Sequence, residues 1–156
     1  MSTTNLASFE KLQRARNRNF VCPELCQQLF VKGITTEKPL YNWFIINDGI
    51  AIRTTINTRG QHQHEGGATW SNDIIASSSC EAYTTADLDA VLPPYCVTKN
   101  AFGQYEVMID QDYSVGKSYS SDRLPDALAA ALLHLLDERK ITAEYAKNVL
   151  NAIRIR

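Results

Sequence analysis

The sequence predicts an α+β fold in which an antiparallel sheet is covered on one face by helices. The segments 41–46 and 50–56 are rich in aromatic and β-branched residues and flank the turn Asn47-Asp48-Gly49, a pattern typical of a hairpin. The alternating segments 104–110 and 114–121 follow a short strand that begins at Tyr95, and together they predict a three-stranded antiparallel meander.

The helix that follows the meander, from Leu124 to about Arg139, has the clearest pattern in the chain. Pro125 and Asp126 suit its first turn, where a missing N–H and a negative charge are tolerated. Its apolar residues recur at intervals of three and four and form one stripe: Leu124, Ala127, Leu128, Ala131, Leu132, Leu135 and Leu136. We expect this stripe to cover one face of the meander, because neither element can bury its apolar surface alone.

Shorter helices are predicted elsewhere by caps and terminators. One begins near Pro23 and ends at Gly33, and another begins at Thr84 or Thr85 and stops at Pro93-Pro94. A terminal helix starts after a cap at Thr142. Segment 57–73 shows no clear period, and we expect it to be a long loop that is mobile rather than functional.

The length of 156 residues favours one domain with a substantial core. We place this domain at residues 20–156 and read residues 1–19 as a basic segment, helical from Phe9 with Ser8 as its cap. Two small half-domains, one for each group of strands, are the alternative. The sequence begins without a signal-peptide pattern, and its longest apolar run, 127–136, is about half the length of a membrane span. We therefore expect a cytoplasmic protein.

Charge is distributed unevenly although the net charge is only −1. Residues 1–20 carry four cationic side chains against one acid, and residues 140–156 repeat this ratio. Residues 81–126 carry eight acids against three cations. Basic ends on an acidic body can bind nucleic acid through phosphates, can bind the acidic body of another copy, or can be solvated helix faces. The nucleic-acid interpretation depends on four residues: Lys11, Arg14, Arg16 and Arg18.

Metal binding has two candidate groups. His62 and His64 would share a side if they lay on a strand, with Glu65, Asp73 or Cys80 as a third ligand. Cys22 and Cys26 are four apart on a predicted helix, but the close cysteine pairs of zinc sites are absent. We expect a solvated loop at the histidines. We expect all four cysteines (Cys22, Cys26, Cys80, Cys96) to be free thiols that pack like small apolar side chains.

Catalytic patterns are weak. The serines lack the surroundings of a nucleophile elbow, and Gly66-Gly67 lacks the lysine and spacing of a phosphate-binding loop. His134 is interpreted as a boundary residue that pairs with Glu138 one turn on. The acids near turns and helix starts are interpreted as turn formers and caps: Asp110, Asp112, Asp122 and Asp126.

The order of motifs resembles a family. Phe20-Val21 and a short helix precede the segment Cys80–Leu88, which runs on to Leu92-Pro93; the meander and the segment Leu124–Leu128 follow. Over residues 20–140 this resembles small uncharacterised proteins of Bacteroidota genomes and of their prophages or other mobile elements, in which Tyr-Thr-x-x-Asp-Leu and a later Leu-Pro precede a hairpin and an Asp-Ala-Leu-Ala helix. The resemblance implies an intracellular bacterial or phage accessory protein. It brings no established activity, so no catalytic residue follows from it.

We therefore expect a non-catalytic, protein-binding or self-assembling accessory protein, encoded by a phage or mobile element and acting on a host system. It would need no cofactor. Leu133 and Leu150, which need not face the core, are the candidate contact residues. The alternatives are a nucleic-acid-binding protein that uses the basic N-terminal helix and a small metal-dependent hydrolase centred on segment 57–73.

Overall fold

The computed structural model describes residues 18–37, 39–45, 51–56, 62–64, 69–70, 79–110 and 117–154. Within these ranges the helices are α1 (Pro23–Val31), α2 (Thr85–Val91), α3 (Leu124–Asp137) and α4 (Ala143–Arg154). The strands are β1 (Tyr41–Ile45), β2 (Ala51–Ile56), β3 (His62–His64), β4 (Thr69–Trp70), β5 (Ser79–Glu81), β6 (Tyr95–Lys99), β7 (Tyr105–Ile109) and β8 (Ser118–Ser121). Helices and antiparallel sheets pack together, which confirms the α+β class.

The first sheet contains the predicted hairpin but is wider than the sequence indicated. β1 and β2 pair antiparallel with Trp43 opposite Arg53, and three more strands give the order β4-β3-β2-β1-β5. β3 and β4 lie inside segment 57–73, so the expectation of a continuous loop there was wrong. Both strands are too short to show an apolar alternation; β3 is a strand because it pairs with β2, and β4 because it pairs with β3. The turn at 47–49 and the strand predicted at 74–76 lie outside the described residues.

The second sheet is the predicted meander, in the order β6-β7-β8. The β6–β7 connection is a tight turn in which Asn100 Oδ1 accepts hydrogen bonds from the N–H groups of Phe102 and Gln104, at 2.9 and 3.0 Å. Gly103 adopts φ +78°, a conformation that favours glycine. The antiparallel three-stranded arrangement is therefore confirmed, with strand bounds close to those predicted.

Helix α3 is the centre of the core. It packs on β7 and β8, as the stripe predicted, and also on α1 and α2. Because helices contact α3 on further sides, residues outside the stripe, such as Ala129 and Leu133, are buried too. The helix ends two residues earlier than predicted: Arg139 adopts φ +58° and the N–H of Lys140 donates to Leu135 O at 2.9 Å.

The short helices follow their caps. Thr84 and Asp87 form a reciprocal capping box at the start of α2, which confirms Thr84 as the cap. The Thr142 hydroxyl accepts a hydrogen bond from the Tyr145 N–H at 3.1 Å at the start of α4. Gly33 follows α1 with φ +92°, which confirms the predicted end of that helix. Among the described residues, no helix is both long enough and apolar enough to cross a membrane.

Two predictions about side chains require correction. Leu133 and Leu150 were the candidate contact residues, yet both belong to the core, with exposed fractions of 9% and 2%. α1 and α2 pack around α3, and α2 also contacts α4, so neighbouring helices cover the side chains of Leu133 and Leu150. All four cysteines are free thiols, but Cys96 is exposed on β6 rather than packed.

Candidate functional site

The largest group of buried charge lies where α4, β5 and α2 meet. Arg154, in the last turn of α4, makes an ion pair with Glu81 through Nη1 and with Asp87 through Nη2, the second at 3.0 Å. Thr36 completes the group: its hydroxyl lies 2.7 Å from Arg154 Nη1 and 2.7 Å from Glu81 Oε1. The Arg154 side chain is only 4% exposed. We call these four residues the Arg154 cluster.

Electrostatics keep the Arg154 guanidinium ionised in the core. Burial opposes the charge of the guanidinium, but hydrogen bonds and attraction from Glu81 and Asp87 outweigh this effect and raise the pKa of Arg154. Arg154 Nε and, on the neighbouring strand, Asn42 Nδ2 are buried without a hydrogen-bond partner in the described part of the chain. The cluster ties the C-terminal helix to the first sheet, so its contacts account for it as a fold element.

The Arg154 cluster was missed by the sequence analysis, which counted Arg154 with a basic surface at 140–156. One signal was present: Arg154 is four residues after Leu150, which is four after Ala146, and both of those are buried. An arginine that continues a buried stripe needs an acidic partner in the core. Its burial also leaves one cation fewer on the basic surface predicted at residues 140–156.

A second arginine joins the chain before α1 to the start of α3. Arg123 donates from Nη2 to Phe20 O at 2.7 Å and pairs with Asp126 at 2.9 Å. The other Asp126 oxygen accepts a hydrogen bond from the Cys22 N–H at 2.8 Å. Asp126 therefore acts in the first turn of a helix, as predicted, and its carboxylate is engaged in the fold.

The nucleic-acid candidates are only partly described. Lys11, Arg14 and Arg16 lie outside the described residues, whereas Arg18 lies in an exposed turn. Arg18 lines an open groove of about 390 Å³ beside the start of α3. Its other lining residues have mixed charge and polarity: Asn19, Thr85, Tyr105, Asp122, Arg123, Leu124 and Pro125. The groove brings both signs of charge together, so it does not favour a phosphate chain.

Cysteine and histidine chemistry has little geometric support. Burial raises the pKa of Cys22 to about 12 and that of Cys80 to about 11, and it raises the pKa of Cys26 as well. These thiols are protonated at neutral pH and are poor nucleophiles. His62 and His64 lie in the short strand β3, but the described residues contain no group of three or more His, Cys, Asp or Glu placed to hold a metal ion.

His134 is half-buried on α3 beside the meander. Its Nε2 lies 3.3 Å from Lys117 Nζ and 3.9 Å from Glu138 Oε1, and its ring packs against Tyr119 at 5.7 Å between centroids. The predicted pairing with Glu138 is confirmed. The Lys117 and Tyr119 contacts show that the residue lies at the boundary between helix and sheet.

The meander has an open edge at β6. The Asp110 N–H donates to Pro94 O, and the Asn100 N–H donates to Gln104 O. Because hydrogen-bonded pairs alternate along antiparallel strands, the N–H and C=O groups of the even-numbered residues of β6 point toward β7. The N–H and C=O groups of Tyr95, Val97 and Lys99 consequently point away from the sheet. Within the described residues, no strand pairs with this side of β6. We call this row of backbone groups the β6 edge.

Side chains around the β6 edge are also accessible. α3 packs mainly on β7 and β8, so the inward side of β6 extends past the helix and leaves Val97 38% exposed. On the outward side, Met108 is 48% exposed next to Cys96. Phe102, at the tip of the β6–β7 turn, is 89% exposed. Apolar side chains therefore surround a row of main-chain donors and acceptors with which none of the described strands pairs.

Comparison of the chain with protein-family models, with curated proteins and with solved structures finds no match. The functional argument consequently depends on the geometry described above.

Proposed function

We propose that this protein is a non-catalytic protein-binding domain that receives an extended segment of a partner along the β6 edge. In this mode of recognition the partner adds a strand to the sheet; main-chain hydrogen bonds give affinity and side chains give specificity. The observation that carries the proposal is the alternation of β6, which leaves the backbone groups of Tyr95, Val97 and Lys99 directed outward. This deepens the expectation of a protein-binding or self-assembling accessory protein.

Two further features support this function. Edge strands in monomeric proteins are commonly covered, bulged or interrupted by proline or charge, because an open edge invites pairing. In β6 the prolines at 93 and 94 precede the strand and Lys99 ends it, while Val97 stands in the middle without such protection. The buried charges and protonated thiols are meanwhile engaged in the fold, which favours binding over catalysis at those positions.

The test uses proline at the centre of the edge. Random peptides displayed on phage are selected on the immobilised protein, and synthetic copies are measured by fluorescence anisotropy against wild type, Val97→Pro and Val97→Thr. Proline removes one outward N–H without touching the β6–β7 hydrogen bonds, and an edge strand tolerates it there. We expect Val97→Pro to weaken binding about tenfold, the equivalent of one hydrogen bond.

Val97→Thr is the matched control, because it keeps both the N–H and the β-branched shape. It should bind as wild type does, and circular dichroism should show that both variants remain folded. Peptides that bind Val97→Pro as tightly as wild type, or a selection that yields no binder on a wild-type protein that is monomeric, would contradict strand addition at β6.

A further inference from the structure

We infer that the segment received by the β6 edge is β6 of a second copy of this chain, paired antiparallel about a two-fold axis at Val97. This inference names the partner for the proposed strand addition and rests on it. The two meanders would then form one continuous six-stranded sheet. Symmetric pairing of one edge with itself closes after two copies, so it produces a dimer rather than a fibre.

The register follows from the alternation of β6. In an antiparallel pair, the residues that exchange hydrogen bonds must both direct their backbone groups toward the interface. With the axis at Val97, Val97 faces Val97 of the second copy, and Tyr95 faces Lys99 of the second copy at both ends. Shifting the axis to Cys96 or Thr98 leaves one of the three outward residues without a partner in the strand. The Val97 register alone uses every outward group of β6.

Side-chain charge is complementary in this register. The Tyr95 hydroxyl donates to Asp89 Oδ1 at 2.8 Å, so a carboxylate lies beside the first residue of β6. Lys99, at the other end of the strand, lies with Nζ 5.0 Å from the centre of its own Tyr105 ring. In the two-fold pair, Lys99 of one copy faces Tyr95 of the other and comes within reach of Asp89. This pairing occurs twice, once at each end of the joined strands.

Apolar surface is complementary as well. Val97, which is 38% exposed in one copy, would pack against Val97 of the second copy on the axis. Cross-strand pairs of β-branched residues stabilise a sheet.

Disulfide trapping tests the register directly. With the axis at Val97, the exposed native Cys96 faces Thr98 of the second copy in a non-hydrogen-bonded pair, with Cα atoms about 4.5 Å apart. That distance falls in the range a disulfide spans. Thr98→Cys should therefore give a covalent dimer on mild oxidation, seen by non-reducing electrophoresis. Positions 96 and 98 of one extended strand are about 6.8 Å apart, at the upper limit of the disulfide range, so the bond between the two copies is favoured over one within a chain.

Two controls fix the interpretation. Wild type should give no covalent dimer under the same oxidation, because Cys96 does not face Cys96 in this register. Thr98→Cys combined with Cys96→Ser should also give none, because the thiol at position 98 then faces serine. Covalent dimer in either control, or none from Thr98→Cys alone, would overturn the Val97 register.

Sedimentation equilibrium tests the second copy as partner. We expect wild type to be a dimer, Val97→Pro to raise the dissociation constant about 100-fold because both central hydrogen bonds are lost, and Lys99→Glu to raise it at least about tenfold. Combining Lys99→Glu with Asp89→Lys reverses both charges and should restore the dimer. Circular dichroism of each variant checks that the monomer remains folded.

Failure of this inference is distinguishable from failure of strand addition. A wild-type protein that stays monomeric up to about 1 mM, where even a weak complex assembles, would overturn the second copy as partner. Peptide binding sensitive to Val97→Pro would then still support the β6 edge as the site, with another protein as its occupant. A dissociation constant for the dimer that is unchanged in Val97→Pro would overturn self-pairing through β6.

Discussion

The Arg154 cluster and the β6 edge differ in where their polar groups find partners. In the cluster, full charges are buried and are matched by partners from α4, β5 and α2. At the edge, main-chain groups of an accessible strand face outward with no matching strand in the described part of the chain. Buried polar groups must be satisfied within the fold, whereas an unsatisfied row at the surface can be satisfied by another chain. The comparison separates residues that stabilise this protein from residues that can bind.

The largest expected effect is at Arg154. Arg154→Ala leaves Glu81 and Asp87 in the core without their cation, and breaking a buried pair in this way costs about 3–5 kcal/mol. Urea denaturation should show this loss in the free energy of unfolding. Lys140→Ala, at an exposed position just before α4, is the matched control and should stay within about 0.5 kcal/mol of wild type. Equal losses of unfolding free energy in Arg154→Ala and Lys140→Ala would show that the Arg154 cluster does not hold α4 in place.

The next largest effect is the difference in stability between truncating a core residue and truncating a residue on the surface of the meander. Leu150→Ala should lower the free energy of unfolding by about 2–5 kcal/mol, because it removes a buried side chain and leaves a cavity. Met108→Ala, on the outward face of β7, should change it by no more than about 0.5 kcal/mol. The same urea titration measures both. A Leu150→Ala protein as stable as wild type would contradict the burial of Leu150 in the core.

A smaller effect appears on raising the pH. Burial raises the pKa of Cys26 above its ordinary value of 9.0, so the folded state keeps a proton that the unfolded state loses. The contribution of this proton to the free energy of unfolding is complete below pH 9.0 and declines above it by about 1.4 kcal/mol per pH unit. The stability deficit of Cys26→Ala relative to wild type should therefore shrink as the pH rises above 9.0.

The control for the pH effect is Val21→Ala, another core truncation, which removes no titrating group. Its deficit should be the same at every pH. A constant deficit for Cys26→Ala as well would contradict the effect of burial on that thiol.

Local signals allowed much of the fold to be predicted. The turn at Asn100–Gly103, the cap at Thr84 and the three–four spacing of α3 each depend on neighbours in the sequence, and each is confirmed. β3 and β4 were not predicted because they are too short to show an alternation; β3 is a strand through its pairing with β2, and β4 through its pairing with β3. Likewise, no spacing within the sequence reveals that α1 and α2 pack on the sides of α3 where Ala129 and Leu133 lie.

The candidate site was less predictable than the fold. The sequence pattern predicted protein binding at Leu133 and Leu150, which are buried, and did not single out β6 as an edge. Whether a strand lies at an edge depends on which segments pair with it, and pairing partners are distant in sequence. The open edge at Tyr95, Val97 and Lys99 emerges only from the register with β7.

By itself, the sequence determined the α+β class, the meander and the leucine-rich helix, because periodicity, turns and caps act over a few residues. Only the tertiary structure decided that Arg154 is buried rather than part of a basic surface, since Glu81 and Asp87 lie 73 and 67 residues before it. The tertiary structure likewise decided that the outward groups of β6 have no partner strand among the described residues. Burial and pairing are properties of contacts between distant segments, so they appear only when the chain is folded.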